Sequence, residues 1–508
     1  MNYLQLLQLA APEAIVVVTA LVVLTVGLIT GRHAGTPGVA LEPVRLTPAA
    51  RSSVAGTNSC LLIAALGLIA AIVAVVGLPS QASISHGMLV ISPLNSLFQV
   101  IALLLAFFSL FLVRAETLLP NKAEYIAMIL LATVGLMLLI GSEELLMIFI
   151  GLELTGLSLY ILTAFAKMSQ QSAEAGLKYF LFGSVASAFT LFGLSLVYGL
   201  TNTTALSEIG ARLTTTPLPL LLVAGIVMTL IGFAFKIAAA PFHLWAPDAY
   251  QGAPISTAAF IASGSKVASF LVLGKILLRA FGNVPGSAAW HALGAGWQPV
   301  VAVLAALSII VGNLAALAQK NVRRLLAYSA VAQGGYTLLG LIAGGPAGYS
   351  ATLFYTTIYA ITLIGAFGVV GFVRQETGGD NLSDFAGLRN SSPLLAACMA
   401  IFILSLAGLP PLAGFFGKFY LFKVTMSATP TNGLLWLVIL ALLGSLVSLY
   451  YYLIVLKMIF VSESSPAINQ PSFQPFLPRL VVSLLAIFVL LLGILPQTLL
   501  ARILATLS

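Results

Sequence analysis

The sequence predicts an all-α polytopic membrane protein with about fourteen transmembrane helices. Hydrophobic residues make up 60% of the 508 positions and charged residues only 7%, against about 25% charged in soluble globular domains. Apolar runs of about 20 residues recur along the whole chain, and a run of that length can cross the hydrocarbon core as a helix. A soluble fold of this size could not bury so much apolar surface in one core.

Polar or Gly/Pro-rich breaks separate the apolar runs and define the predicted spans. The first run lacks a basic leader, so we expect a retained helix and not a cleaved signal. In chain order the spans are 11–31, 58–78, 92–114, 121–141, 144–166, 175–200, 217–240, 254–281, 298–319, 323–344, 347–374, 392–426, 433–461 and 479–500. Interior proline removes a backbone hydrogen bond, so Pro241 is expected to interrupt helix 7, and Pro410 with Pro411 helix 12.

The distribution of lysine and arginine predicts the orientation of the chain. Fourteen of these residues fall in one set of alternate loops, and three (Arg212, Arg279 and Arg502) fall in the other. Because basic loops stay in the cytoplasm, the first set is expected to be cytoplasmic and both termini to lie outside.

Two broken helices at corresponding positions indicate an internal repeat. Lys236 and Lys418 are 182 residues apart, and the same offset carries helices 4 and 5 onto helices 9 and 10. The sequence therefore predicts two inverted five-helix repeats, helices 4–8 and 9–13. The expected units are 1–120 (helices 1–3), 121–281 (first repeat), 298–461 (second repeat) and 479–508 (helix 14).

Five lysines (Lys236, Lys266, Lys275, Lys418 and Lys423) and one carboxylate, Glu153, lie within apolar segments, and Glu153, Lys236, Lys266 and Lys418 are the candidate functional residues. A lysine at the centre of the membrane is unfavourable by about 2.5–3.5 kcal/mol on insertion scales, and such residues usually have a function. Burial disfavours the charged form and a nearby opposite charge restores it. Groups of this kind, linked by water, would make a proton relay.

Three segments resemble the antiporter-like membrane subunits of respiratory complex I. They are GLELTGLSLYIL around Glu153, FKIAAAPFHLWAPDAYQGAP followed by SGSK, and LAGLPPLAGFFGKFYLF around Lys418. The similarity covers essentially all of helices 4–13. Within that family, a length near 500 residues and lysine at position 418 suit the type that ends directly after helix 14.

The resemblance implies a role for each candidate residue in redox-driven proton pumping. Glu153 and Lys236 would form an ion pair between helices 5 and 7. Lys266 would be the central relay lysine, and Lys418 the outlet residue on helix 12. His243 matches a histidine at the cytoplasmic end of the helix 7 break.

The resemblance also implies the setting of the chain. No cofactor or metal is expected in it, because NADH, FMN, the iron–sulfur clusters and quinone would belong to other subunits. The expected partners are neighbouring antiporter-like subunits, small helical membrane subunits and membrane lipids. We expect a bacterial plasma membrane, in preference to a thylakoid membrane.

Structural interpretations of the same residues remain open. Lys236 and Lys266 would then only satisfy carbonyls freed at the Pro241 break, Glu153 would pair with a neighbouring helix, and His243 would be an interface residue. Lys418 would then extend to the membrane interface, and for Lys275 and Lys423, which lie further toward the outer face, such extension is the expected arrangement. Glu143 and Glu144 are most simply first-turn acids facing the dipole of helix 5, although proton transfer to a neighbouring subunit remains open for them.

Other functions compete with the complex I interpretation. A subunit of a multi-subunit cation/proton antiporter or of a membrane-bound hydrogenase would carry the same charged residues, and the partner genes would discriminate. A stand-alone solute transporter predicts a polar or aromatic substrate pocket, and a structural anchor leaves the buried charges unexplained. GFFGKFY lacks the spacing of a phosphate loop, scattered histidines predict no metal site, and nothing indicates nucleic-acid binding.

Overall fold

The structure is a computed structural model that describes residues 3–32, 48–116, 119, 121–213, 219–429, 433–463 and 476–507. The helices, in chain order, are α1 Tyr3–Leu9, α2 Ala11–Arg32, α3 Pro48–Val76, α4 Pro93–Leu112, α5 Lys122–Gly141, α6 Leu145–Thr163, α7 Gln170–Thr201, α8 Leu206–Arg212, α9 Leu220–Lys236, α10 Trp245–Gly252, α11 Ile255–Phe260, α12 Lys266–Lys275, α13 Trp297–Leu317, α14 Val322–Ala343, α15 Gly345–Thr377, α16 Leu388–Ser391, α17 Pro393–Ala407, α18 Ala413–Ser427, α19 Leu435–Phe460, α20 Phe476–Ile494 and α21 Gln497–Ala505. Two short strands, β1 Ala82–Ile84 and β2 Leu89–Ile91, pair in antiparallel register.

The all-α membrane class is confirmed. Within the described residues, twelve helices are long and apolar enough to cross a membrane, and two shorter apolar helices, α9 and α17, lie in predicted spans 7 and 12. Every predicted span overlaps a helix. The exact number of crossings and their orientation remain predictions.

Helix starts follow local capping chemistry, since a side-chain oxygen at the N-cap accepts from backbone N–H groups that lack a helical partner. Ser92 accepts from the N–H of Asn95 at the start of α4. Ser169 and Asn321 cap α7 and α14 in the same way. These polar residues mark the starts of three long helices.

The predicted interruptions of helices 7 and 12 are confirmed. α9 ends at Lys236, and residues 237–244 are not helical before α10 begins. The Ala240–Pro241 bond lies in this first gap, and the Pro410–Pro411 bond lies between α17 and α18; both are cis. In the first gap, the N–H of Ala240 donates to Ser308 Oγ at 2.9 Å, and the Trp245 indole donates to the Phe235 carbonyl at 3.0 Å.

The centre of the protein is formed by three helical segments, Ile255–Ala280, α14 and α15, which are buried almost completely. Ile255–Ala280 comprises α11, α12 and two π-helical turns, Ile261–Ser265 and Ile276–Ala280. By contrast, α2, α3 and α7 expose broad apolar faces, as expected for helices at a lipid boundary. Lys266, Lys275 and Arg323 on these segments are therefore enclosed by protein.

The packing is compatible with the predicted repeat. α5 packs against α6 and α7 against α9 in the first unit, while α13 packs against α14 and α15 against α17 and α18 in the second. These are the helix pairs that the offset of 182 residues relates. The inverted repeat itself, and the unit boundaries drawn from it, remain predictions.

Candidate functional site

The three lysines predicted from the sequence are all enclosed. Lys236, Lys266 and Lys418 are 6%, 2% and 4% exposed. None of them takes part in any ion pair among the described residues. Their amines instead donate to backbone carbonyls or to a hydroxyl. The site is therefore a set of buried cations whose hydrogen-bond partners are neutral.

Lys236 and Glu153 line the same small cavity, together with Ser187 and Thr190. The Lys236 amine donates to the Leu152 carbonyl on α6 at 3.3 Å, and the Glu153 carboxylate accepts from the Ser187 hydroxyl on α7. The direct ion pair expected between Glu153 and Lys236 is thus not formed in this state. The two groups are neighbours across a cavity, each held by another helix.

Lys266 lies at the centre of the protein, directly after the π-helical turn Ile261–Ser265. Its amine donates to the Ala330 carbonyl on α14 at 2.9 Å. It also lies over the ring of Tyr359 on α15, with 5.4 Å from Nζ to the ring centroid. Lys266 therefore joins the first predicted repeat to two helices of the second.

Lys418 occupies the second turn of α18, after the break in helix 12. Its amine donates to the Ala407 carbonyl at the end of α17 and to Ser445 Oγ on α19, both at 3.1 Å. It lies over the ring of Tyr336 at 5.2 Å. The side chain is held inside the protein, so the alternative interpretation, in which it extends to the membrane interface, does not apply.

A polar seam that sequence reasoning missed links the surroundings of Lys266 and Lys418 along α14. Gln333, one turn after Ala330, donates to the Leu406 carbonyl at 3.2 Å, beside the carbonyl that Lys418 contacts. Gln333 also accepts from Tyr355 and donates to Tyr452. The sequence predicted the helices on which these residues lie, α14, α15 and α19. It gave no local signal that distinguished them from other polar residues of the core.

No hydrogen bond described here joins Lys236 to Lys266. α14 passes the break in helix 7, since a Cβ added to Gly334 would lie 3.4 Å from the Ile237 carbonyl oxygen, just after Lys236. α14 therefore contacts the break in helix 7, the amine of Lys266 and the break in helix 12. It carries groups that contact two of the three lysine amines, Ala330 at Lys266 and Tyr336 at Lys418.

The supporting residues lie at helix ends and breaks. His243 is 7% exposed, its Nδ1 has no hydrogen-bond partner, and its ring lies 6.3 Å from that of Tyr328 on α14. Glu144 is the N-cap of α6 and accepts from the N–H of Leu146 and of Met147, at 3.1 and 2.7 Å. This geometry fits the structural interpretation of Glu144; a role in proton transfer stays a prediction.

Two further expectations can be compared with the structure. The lysines at positions 236 and 266 do not satisfy the carbonyls of residues 237–241, since their acceptors belong to α6 and α14. Lys275 was expected to reach the membrane interface, but it is 2% exposed. Its amine donates to the carbonyls of Ile140 and Ser142 at the end of α5, at 2.7 and 3.3 Å. Lys423 is exposed.

The linker between helices 7 and 8 is anchored by charged groups. Asp248 on α10 accepts from Lys178 of α7 at 2.8 Å and from Arg324 of α14 at 2.6 Å. Burial raises the pKa of the Asp248 carboxyl, but the hydrogen bonds from Lys178 and Arg324 outweigh it and leave that pKa below its ordinary value. The linker is thus held to both predicted repeats.

The part of the chain that contains this site matches a known protein family. Residues 142–447 match the family described as NADH:quinone oxidoreductase/Mrp antiporter, TM. The chain belongs to this family. The matched range contains Glu153, the three candidate lysines and both helix breaks.

Individual relatives agree with the family assignment. The chain is 52% identical over 376 residues to NADH-quinone oxidoreductase subunit N 2 of Acidobacterium capsulatum, covering 74% of this chain and 75% of the relative. It is 40% identical over 443 residues to NADH-quinone oxidoreductase subunit N of Moorella thermoacetica, covering 86% and 89%. A chain of respiratory complex I from Thermus thermophilus superimposes with a TM-score of 0.75 at 30% identity, covering 96% and 98%.

These similarities confirm the antiporter-like architecture of complex I membrane subunits for this chain. Within its described part, no cluster of three or more metal-binding side chains is found.

Proposed function

We propose that this chain is subunit N, also called subunit 2, of a bacterial NADH–quinone oxidoreductase, and that it carries one proton path across the plasma membrane. Glu153, Lys236, Lys266 and Lys418 are the proton-transfer residues of this path. NADH oxidation and quinone reduction take place in other subunits, which hold FMN, the iron–sulfur clusters and the quinone. This chain contributes to the enzyme as a translocating subunit without a redox centre.

One observation carries the proposal: three enclosed lysine amines are held only by neutral partners, and α14 supplies the acceptor of Lys266 and the ring beside Lys418. A buried amine without a carboxylate at contact distance is destabilised in its charged form. Such a group can pass its proton to a neighbour without first breaking an ion pair. A purely structural lysine would gain more from a paired carboxylate.

Glu153 supplies the variable charge at the first amine. In this state its carboxylate is held by Ser187, across a shared cavity from Lys236. Movement of the carboxylate toward the amine would stabilise the protonated lysine, and its return to Ser187 would favour proton release. The position of one side chain thereby controls whether Lys236 keeps its proton. Coupling of that movement to quinone reduction is part of the proposal.

The membrane setting follows from the same assignment. The broad apolar faces of α2, α3 and α7 are suited to lipid or to the small helical membrane subunits of the complex. Neighbouring antiporter-like subunits are the other expected partners.

A cation/proton antiporter subunit is the second candidate function, because the family to which the chain belongs includes Mrp antiporters. A membrane-bound hydrogenase subunit would be a third relative of the same architecture. The curated relatives at 40% and 52% identity favour the oxidoreductase. The neighbouring genes discriminate: flavin and iron–sulfur subunits support complex I, whereas small membrane subunits alone support an antiporter.

The decisive experiment replaces Lys236 by alanine in the assembled complex, reconstituted in vesicles, and measures NADH–quinone turnover and proton pumping together. We expect both rates to fall while the complex remains assembled. Lys423→Ala is the matched control, because Lys423 lies on α18 with its side chain exposed. That variant should pump at the wild-type rate.

Two outcomes would contradict the proposal. Unchanged pumping in Lys236→Ala would remove this residue from the path. Turnover without any associated proton movement in the wild-type complex, under conditions where a known proton pump responds, would exclude proton translocation itself.

A further inference from the structure

Each of the three candidate relay lysines is paired with a tyrosine ring. The Nζ atom of Lys236 lies 5.5 Å from the ring centroid of Tyr160, that of Lys266 5.4 Å from Tyr359, and that of Lys418 5.2 Å from Tyr336. These distances are within the range of a cation–π contact. The rings come from α6, α15 and α14, so the arrangement has arisen on three different helices.

The pairing does not simply follow from burial. Lys275 is as deeply buried as the other three and also donates to backbone carbonyls. Among the residues that the structure describes, however, the lysines with cation–π contacts are Lys236, Lys266 and Lys418 only. The tyrosine contact thus distinguishes the proposed relay lysines from a buried lysine that ends a helix.

The common element is the ring and not the hydroxyl group. Among the described residues, the hydroxyls of Tyr160 and Tyr359 have no hydrogen-bond partner, whereas the Tyr336 hydroxyl accepts from Asn313 at 2.9 Å. The three hydroxyls therefore have different surroundings, while the three ring-to-amine distances agree within 0.3 Å. A shared role has to be carried by the aromatic face.

Local packing brings one ring and amine together. A Cβ added to Gly156 would lie 2.7 Å from Lys236 Nζ and 3.1 Å from the Tyr160 hydroxyl, and one added to Gly183 would lie 2.1 Å from that hydroxyl. Because both positions are glycine, the Lys236 amine and the Tyr160 side chain have room to lie next to each other against α6 and α7. Larger residues would displace one or both groups.

We propose that Tyr160, Tyr359 and Tyr336 are positioning residues that hold the protonated amines of Lys236, Lys266 and Lys418 through their ring faces. This inference rests on the proposed proton path. A ring attracts the ammonium form but not the neutral amine, and unlike a carboxylate it does not neutralise the charge. Each ring thus favours a protonated resting lysine and leaves it able to release the proton when a neighbour changes.

Tyr359 offers the sharpest test, because Lys266 has a single hydrogen-bond acceptor among the described residues. The complex should be prepared with Tyr359→Phe, which keeps the ring, and with Tyr359→Leu, which removes it. Pumping in Tyr359→Phe should stay close to wild type. Pumping in Tyr359→Leu should fall about tenfold or more, with the alkaline limb of its pH profile moved to lower pH.

Tyr349→Leu is the matched control for loss of a buried aromatic residue. Tyr349 is on the same helix and equally buried, but has no lysine among the described cation–π contacts. It should leave the pH profile unmoved. The positioning role is overturned if Tyr359→Phe is as inactive as Tyr359→Leu, if Tyr359→Leu pumps normally, or if Tyr349→Leu moves the profile equally.

Lys266→Ala, measured in the same preparation, separates this inference from the proposed function. If Lys266→Ala pumps like wild type, the proton path through Lys266 is wrong. If Lys266→Ala is inactive while Tyr359→Leu is normal, the path stands and only the role of the ring is wrong.

Discussion

The amine of Lys418 lies 3.1 Å from the carbonyl oxygen of Ala407 and thereby joins the two halves of broken helix 12. Ala407 is the last residue of α17, where carbonyl groups lack a helical N–H partner. Lys418, on the following helix, donates to one of these carbonyl groups, which carry the partial negative charge of the helix end. The candidate outlet residue is therefore also a bond across the break, and a change in its protonation acts on the geometry of the helix.

Replacement of Lys418 by methionine should reduce both stability and pumping. Methionine keeps a flexible chain of similar length but cannot donate to Ala407 or to Ser445, so a buried carbonyl and a partly buried hydroxyl lose a partner. We expect a loss of about 1–3 kcal/mol in unfolding free energy, measured by thermal unfolding of the complex in detergent, together with loss of proton pumping in vesicles.

Lys423→Met on the same helix provides the comparison. Its side chain is exposed, so the expected change in unfolding free energy is within about 0.5 kcal/mol. Equal losses in the two variants would show that the Lys418 contacts contribute nothing specific.

Gly156→Ala should disable the first lysine site without unfolding its helix. The added Cβ would lie 2.7 Å from Lys236 Nζ, closer than real Cβ contacts, so the amine has to move away from the Leu152 carbonyl and the Tyr160 ring. Alanine itself favours the helix by about 1 kcal/mol relative to glycine. We therefore expect pumping to be lost in vesicles while the melting temperature is maintained.

Gly199→Ala makes the same change where no atom lies within 4 Å of the added Cβ. It should pump normally. If Gly156→Ala pumps as well as Gly199→Ala, the position of the Lys236 amine does not limit proton transfer.

Local sequence predicted the spans and the helix breaks of this protein, but not the partners of its buried amines. Span positions and the breaks at Pro241 and Pro410 could be predicted, because hydrophobic run length and proline act locally. The burial of Lys266 followed from its depth within a span. The direction of each amine could not be predicted, since the acceptors lie 64 to 84 residues away for Lys266 and Lys236.

The predictions from sequence were least accurate where a charged side chain had several possible hydrogen-bond partners. Glu153 and Lys236 were expected to pair, but Ser187 and the Leu152 carbonyl hold them instead. Lys275 was expected at the interface and was found capping α5. A long side chain can reach several acceptors of similar energy, and only the packing of neighbouring helices decides among them.

Arg323→Met should be one of the most destabilising single changes in the chain. Its guanidinium is fully buried and donates to the Tyr250 carbonyl at 2.8 Å, to the Ala253 carbonyl and to Asp380 at 3.3 Å. Removal leaves a partly buried carboxylate with less compensation and two carbonyls without a donor. The expected loss is about 3–5 kcal/mol, measured as a lower melting temperature and reduced assembly.

Arg374→Ala tests the same carboxylate from the other side. Arg374 also lies 3.3 Å from Asp380, but 42% of its side chain is exposed, and exposed pairs contribute about 0–1 kcal/mol. A loss in Arg374→Ala as large as that in Arg323→Met would contradict the assignment of the stabilisation to the buried guanidinium.

Asp248→Asn should alter the acid stability of the helix 7–8 linker. Hydrogen bonds from Lys178 and Arg324 keep the pKa of the Asp248 carboxyl below its ordinary value despite burial. A carboxyl whose pKa is depressed by folding stabilises the protein above its unfolded pKa of about 4, and loses this contribution as pH falls through the lower folded value. The wild-type complex should therefore lose melting temperature more steeply than Asp248→Asn between pH 4 and pH 3, while being the more stable of the two at pH 7.

Glu208→Gln is the control, since Glu208 pairs with Arg212 at 3.6 Å and both side chains are about half exposed; this variant should follow the wild-type curve. Parallel acid curves for wild type and Asp248→Asn would show that the Asp248 carboxylate does not anchor the linker, and that the tie between α7, α10 and α14 depends on packing alone.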